Sequence, residues 1–379
     1  MINICIDGNY IFHKTFGIFG GYGNVDPSKI LGDKKEQAAF IRKISTDLCA
    51  SLKMLPSGGR LIFTSDSRSW RREIEIEGGG YKSGRVKDEN VDWSIFFDLM
   101  ASFGNHLEEM GFIFSKVEGA EGDDLLMFWS EYFNNIGENC LIITGDKDLH
   151  QLVRMNDSSW TSVWNSNAKN NLLSTPIGWK QAWLEKEEEV GIFNMASSVS
   201  PEKQKLKDFL KKVEIQEIEK RYFIINKILV GDKGDSIPSV WEYENSGKSV
   251  KFSQKKADTV VDLFQSGEWA NEQFGSLLTN KIFLEWISGL ILRTTKDIDS
   301  SANREKVIQN LIRNFRLMWL DPTMLPDRVK SNCQFEIERG SRKQKRNVTL
   351  DRIKILEGTD WVTPGYQPKG FDPFEHFTK

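Results

Sequence analysis

Three short acidic clusters carry most of the chemistry in this 379-residue chain: Glu121-Gly122-Asp123-Asp124, Asp146-Lys147-Asp148 and Asp232-Lys233-Gly234-Asp235. With Asp7 and Asp66 they supply nine carboxylates. Hard divalent cations take oxygen ligands of this kind. Each cluster alone has a structural explanation, because acids in a first helical turn cap free N–H groups and Asp-rich turns are common. Gathered together, the nine would repel one another and shift toward neutrality unless cations compensated them. The expectation is therefore metal-assisted hydrolysis of a phosphodiester. With two ions about 4 Å apart, one activates the attacking water and the pair stabilises the attacking and leaving oxygens. Magnesium keeps several waters, so some of the nine are expected to act through water, and manganese is an effective substitute.

The elements that must position these acids follow from the hydrophobic pattern. Apolar runs at Ile2 to Ile6, Leu61 to Thr64, Phe112 to Val117 and Leu141 to Thr144 read as strands. Between them, Phe40, Ile44, Leu48, Leu52 and Leu55 step at helical spacing after Asp33 and Glu36, and Ile95, Leu99, Phe103, Leu107 and Met110 do so before Gly111. This alternation predicts an α/β fold whose central, mostly parallel sheet is covered by helices. Ligands of such sheets bind beyond the carboxyl ends of the strands. Asp7, Asp66 and Asp146 fall there, and Glu121 and Asp123 follow the third strand across a short loop.

The linear division expected is a nuclease-like domain over 1–160, a mainly helical subdomain over 161–325 and a loop-rich extension over 326–379. Ser67 to Asn90 breaks the alternation with Trp70, Arg71, Arg72, Tyr81, Lys82, Arg85 and Lys87, and reads as a long mobile excursion above the sheet edge. Asn165 to Val199 is polar and irregular, and its run Glu185 to Glu189 reads as a solvated face. Ser200 and Pro201 open a helix, and Ile218, Tyr222, Ile225 and Leu229 form a stripe ending at Gly231. Further helices are expected over Gln254 to Phe264 and Arg304 to Leu320.

Composition sets outer bounds. Charged residues make up 28% and apolar ones 39%, which predicts a soluble globular protein. A net charge of -3 gives no global basic signature, so nucleic acid would have to be met by local patches. Cys5, Cys49, Cys140 and Cys333 lie far apart, with no zinc spacing, and read as buried free thiols in a cytoplasmic protein. Neither a secretion signal nor a membrane span is expected.

The ordered segments Ile6-Asp7-Gly8-Asn9, Ser65-Asp66 with Trp70-Arg71-Arg72 and Tyr81-Lys82, Glu121 to Asp124, Thr144 to Leu149 with Gln151-Leu152, and Val230 to Pro238 resemble the 5'-nuclease (flap endonuclease) superfamily. Within it the chain looks most like the ribonuclease H branch of T-even bacteriophages, over about the first 320 residues. The resemblance implies a PIN-like nuclease domain followed by a helical DNA-binding subdomain. It also implies a two-magnesium site that acts 5' to 3' on RNA/DNA and DNA/DNA duplexes and flaps, removing RNA primers in phage replication. By the same resemblance Asp7, Asp66, Glu121, Asp123, Asp146, Asp148, Asp232 and Asp235 would be ligands or water-mediated acids, with Asp124 a further candidate. Lys82 and Arg85 would steer the scissile phosphate and stabilise its charge.

Candidate nucleic-acid contacts are His13 and Lys14, at positions where relatives carry an aromatic and a basic residue, together with Arg71, Arg72, Lys87, Lys248, Lys255 and Lys256. Such contacts position a substrate without reading its sequence. After Pro238 the chain departs from the family pattern: Ser239 to Ser253 replaces a glycine-rich hairpin. Ser246-Gly247-Lys248-Ser249 only imitates a nucleotide-binding loop. The tail with Phe371, Phe374 and Phe377 either docks on a single-strand-binding protein or sliding clamp, or packs on its own domain. The rival readings are a single-strand ribonuclease of the PIN class and a non-catalytic, structure-specific DNA-binding protein.

Overall fold

The computed structural model describes residues 2–21, 27–55, 58–76, 79–85, 89, 91–166, 171–185, 201–218, 224–245, 248–267, 269, 274–342, 353, 354 and 356. The chain forms two units, one of Met1–Ser67, Lys87–Ile218 and Ser331–Lys379, the other of Arg68–Val86 and Glu219–Lys330.

The first unit is built on an eight-stranded sheet. Its elements run β1 (Ile2–Asp7), α1 (Gly8–Gly21), α2 (Pro27–Gly32), α3 (Lys34–Met54), β2 (Leu61–Thr64), α4 (Trp93–Glu109), β3 (Ile113–Ser115), α5 (Gly122–Asn135), β4 (Asn139–Ile143), β5 (Arg154–Met155), β6 (Trp160–Asn165), β7 (Leu172–Pro176), α6 (Pro201–Leu210) and β8 (Glu214–Ile218). The order across the sheet is β3-β2-β1-β4-β6-β7-β8, with β5 on β6. From β3 to β6 every pairing is parallel. β1 is buried along its whole length, as a central parallel strand covered on both faces must be.

The chain leaves β1 toward β2 and β3, then returns to β4 on the other side. That reversal makes a topological switch point between β1 and β4. At its rim, Gly8 is obligatory, since a Cβ there would stand 2.3 Å from the Thr64 carbonyl oxygen. Local signals set the helices. Asp33 accepts from the N–H groups of Lys35 and Glu36 at the start of α3, and Phe40, Ile44, Leu48 and Leu52 bury its inner face. Asp92 caps α4 in the same way. Phe12 meets Phe40, Phe96 and Phe103 edge-on, with centroids 5.7 to 5.9 Å apart, and this aromatic cluster joins α1, α3 and α4.

The second unit contains α7 (Ile225–Val230), the antiparallel hairpin β9 (Glu242–Asn245) and β10 (Lys248–Lys251), α8 (Gln254–Gln265), α9 (Phe274–Leu277), α10 (Lys281–Thr295) and α11 (Ser301–Met318). Its core gathers Ile76, Tyr81, Ile228, Trp241, Phe252, Ile291 and Phe315. A last helix, α12 (Asp327–Arg342), closes the described sequence apart from residues 353, 354 and 356. On it Arg339 bonds Glu108 at 3.1 Å, and Gly340 fits against Trp129, where a Cβ would be 2.7 Å from Cη2.

Several elements differ from the sequence pattern. The sheet runs on past residue 160 through β6, β7 and β8, so the units are not divided as a linear reading divides them. Ile218 ends β8 rather than opening a helical stripe, because a parallel neighbour, β7, is there to pair with it. The excursion after Ser67 is no free loop: Trp70, Ile76 and Tyr81 are buried, Ile76 and Tyr81 in the second core. Residues 327–342, expected as loop, form α12. Glu187 to Glu189, Ser200, Tyr222 and the tail at Phe371, Phe374 and Phe377 lie outside the described residues. All four cysteines are buried and free. No described helix is long and apolar enough to cross a membrane.

A carboxylate cluster at the carboxyl edge of the sheet

Asp7 is the last residue of β1 and lies at the switch point, 6% exposed. The Tyr10 N–H donates to its Oδ1 at 2.9 Å and the Thr144 hydroxyl to its Oδ2 at 2.7 Å. Thr144 in turn accepts the Asp146 N–H at 3.0 Å. One hydroxyl thus ties the end of β1 to the loop after β4. Burial, reinforced by the Asp146 charge, outweighs the hydrogen bonds and pushes the Asp7 carboxyl from an ordinary 3.8 up to about 6.

Beyond β2, Asp66 accepts the Gly122 N–H at 2.7 Å, and its own N–H donates to Asn9 Oδ1 at 3.2 Å. Gly122 opens α5, which brings Glu121 and Asp123 to the same edge. The Asp123 carboxyl is raised well above its ordinary range, first by burial and then by the charges of Asp146, Asp7, Asp66 and Glu121. Hydrogen bonds through Thr144 and Gly122 tie Asp7 to the Asp146 loop and Asp66 to the start of α5, and the charges of Asp146, Asp7, Asp66 and Glu121 all bear on Asp123. This convergence is the central geometric fact of the site.

Two neighbours do other work. Asp124 is fully buried, and its Oδ2 accepts the Glu121 N–H at 3.0 Å, the return half of a capping box. Its place among the ligand candidates is corrected: it holds the first turn of α5 in shape. Asp146 caps the turn of 3-10 helix at 147–152 by accepting the Asp148 N–H at 2.8 Å, which sets Asp148 beside it.

In the second unit, Asp232 and Asp235 belong to a tight loop stapled by reciprocal backbone bonds between Asp232 and Ile237, both 2.8 Å. Lys227 Nζ pairs with Asp232 at 2.6 Å, and the Gly234 N–H donates to it at 2.7 Å. Burial tends to raise the Asp232 carboxyl, but Lys227 and the N–H donors win and hold it below the usual range. The Arg85 guanidinium pairs with Asp235, and the Lys82 N–H donates to the Asp235 carbonyl at 2.8 Å. Tyr81 Oη reaches the same carboxylate at 3.4 Å, and the Gly84 N–H donates to Ser236 Oγ at 2.8 Å. Lys82 and Arg85 are thereby docked on the loop that carries Asp235.

The basic and aromatic candidates separate by environment. His13 is exposed and packs against Phe96 and Trp93 at centroid distances of 4.8 and 5.8 Å. Lys14 is half-buried, its ammonium 5.6 Å from the centre of the Tyr10 ring. Arg72 and Lys255 are exposed. Arg71 is corrected: it is 2% exposed, lies over the Trp70 ring and donates to the Leu317 carbonyl, so it is part of the core and is withheld from phosphate. Lys256 is likewise engaged, donating to the Thr294 carbonyl at 2.8 Å against the Tyr243 ring. Lys248 lies on β10, and Lys87 falls outside the described residues. Tyr10 and Asn165 escaped sequence reading because nothing in their types marks them; only the packing of Tyr10 on Gly145 brings them to the edge.

The donor set is suited to hard cations. Among the described residues no three acids close tightly enough to hold an ion directly. A hard divalent cation that keeps part of its water shell needs only one or two of these carboxylates as direct ligands. Compensation by cations would also relieve the repulsion felt by Asp7 and Asp123.

The frame is thus a mostly parallel α/β sheet with carboxylates beside its switch point. Residues 3–183 match the family model of the 5'-3' exonuclease N-terminal, resolvase-like domain. Over 150 residues the chain is 25% identical to the thermostable DNA polymerase I of Thermus aquaticus, a match covering 40% of this chain and 16% of that protein. The chain therefore spans about a sixth of that relative's length. The crystal structure of the bacteriophage T5 D15 protein co-crystallised with metal ions superposes with a TM-score of 0.50 at 14% identity, over 94% of this chain and 99% of that one. Human GEN1 in complex with Holliday junction DNA gives 0.39 at 13% identity, over 89% and 72%. At 14% identity the likeness to the D15 protein is one of fold.

Proposed function

We propose that the chain is a magnesium-dependent 5' to 3' exonuclease and flap endonuclease that acts on RNA/DNA and DNA/DNA duplexes and removes RNA primers during phage DNA replication. The convergence of Asp7, Asp66, Glu121, Asp123 and Asp146 on one sheet edge carries this reading. The D15 protein, whose fold is shared, was co-crystallised with metal ions, which supports the cation dependence.

Asp7, Asp66, Glu121, Asp123, Asp146 and Asp148 would hold the cations, directly or through water, and the resemblance would add Asp232 and Asp235. Bound there, magnesium would supply an acidified water and charge stabilisation on the phosphate. The chain's own residues do the rest. Thr144 orients the Asp7 carboxylate, and Gly122 orients that of Asp66. Lys14 offers an ammonium to the substrate backbone, His13 an exposed ring, and Arg72 and Lys255 further positive charge. Lys82 and Arg85 steer the scissile phosphate once a substrate draws them from the Asp235 loop.

Digestion of 5'-labelled RNA/DNA, duplex DNA and 5'-flap substrates with and without magnesium tests reaction, polarity and metal together. Short 5' products formed only with the metal are expected. Cleavage that persists in chelator rejects the proposed site.

A further inference from the structure

We infer that Tyr10 and Asn165 form a subsite that reads the 2'-hydroxyl of a ribonucleotide beside the scissile bond, an inference that rests on the nuclease reading above. Tyr10 is pinned in place: its N–H donates to Asp7 at 2.9 Å, and its ring packs so closely on Gly145 that a Cβ there would be 2.2 Å from Cε2. This carries its hydroxyl across β4 to within 3.5 Å of Asn165 Oδ1, at the carboxyl end of β6. Two strand spacings, about 10 Å, separate β1 from β6. The pair therefore stands along the same edge as the carboxylates, at the reach of an adjoining nucleotide.

Its chemistry favours one part of that nucleotide. A phenol and a carboxamide are neutral, and together they present donors and acceptors at a half-buried position. A phosphate is better met by the Lys14 ammonium, which lies against the same ring. A sugar hydroxyl, at once donor and acceptor, matches the pair, and the 2'-hydroxyl is the group that separates RNA from DNA.

The test uses two duplexes identical except for a single ribose beside the cleavage point, and reads the ratio of their kcat/KM values. Tyr10→Phe keeps the ring on Gly145 and deletes only the hydroxyl. It should lower the ribose-to-deoxyribose ratio by about five- to tenfold, the worth of one hydrogen bond. Asn165→Ala should do the same, and the double variant should fall no further than the larger single one, since both side chains address one group. A parent protein that treats the two duplexes alike, or variants that leave the ratio where it was while both constants fall together, would overturn the subsite and make Tyr10 only a wall of the site. A parent protein that cuts neither duplex overturns the nuclease reading itself.

Discussion

The two acidic regions of this molecule are opposites in charge balance. On the sheet edge, Asp7 is buried and Asp123 half-buried among charges of their own sign, and both are pushed toward the neutral form. In the loop of the second unit, Lys227 and Arg85 pair with Asp232 and Asp235, and Asp232 is held ionised. The same residue type thus carries stored repulsion in one place and completed ion pairs in the other. In the first, a bound cation would relieve the repulsion between like charges. The second instead anchors Tyr81 to Arg85, and so bears on where Lys82 stands.

The comparison breaks most readily on activity. Asp146→Asn with Asp148→Asn should abolish magnesium-dependent cleavage, by about a thousandfold or more on the scale of lost electrostatic stabilisation, with duplex binding retained in a gel-shift assay. Asp235→Asn, whose first effect is to release Arg85, should cost at least tenfold less. Equal losses would erase the distinction between the two regions.

A second test reads stability against pH. The Asp7 pKa is higher folded than unfolded, so its contribution is fully present below about 3.8 and is lost as pH rises through about 6. The two-unit shift corresponds to about 3 kcal/mol. Denaturant titrations of metal-free protein should show this loss between pH 4 and 7 in the parent and not in Asp7→Asn. Magnesium added at pH 7 should restore it. Asp232 runs the other way: its contribution is present at neutral pH and declines as pH falls through its lowered pKa.

Gly8→Ala places a Cβ 2.3 Å from the Thr64 carbonyl oxygen and has to spread β1 from β2. Overpacking of this kind costs about 1–3 kcal/mol, measurable as a lower denaturation midpoint. The smallest effect is expected for Lys227→Met. It breaks an ion pair whose side chains are 31% and 21% exposed, and pairs open to solvent contribute about 1 kcal/mol or less. A larger loss would mean that the second loop is held by its charges more than by its backbone staple.

Much of the first unit is legible in the sequence because local signals and burial agree there. Ile2 to Ile6, Leu61 to Thr64 and the stripe on α3 each repeat with the period of the element they form, and Asp33 supplies the cap that its type suggests. Elsewhere local pattern and tertiary context diverge. The stretch 214–218 pairs as a strand only because β7 lies beside it. α12 is obscured by its polar composition, although Gly340 and Arg339 seat it on Trp129 and Glu108. Arg71 resembles a phosphate contact until its burial is known, and Asp124 resembles a ligand until the N–H it accepts is seen.

Residue type and periodicity are local properties, so the sequence alone specifies which carboxylates this protein has and that strand ends carry them. It determined the alternation of strands and helices for the same reason. The strand order that puts β1 beside β4, and with it the link from Asp7 through Thr144 to Asp146 and the reach of Tyr10 to Asn165, comes from the tertiary structure. It also decided that Arg85 pairs with Asp235 while Asp123 is left among like charges. The Tyr10–Asn165 pairing joins residues 155 positions apart, and no local periodicity encodes which distant partner a side chain will meet.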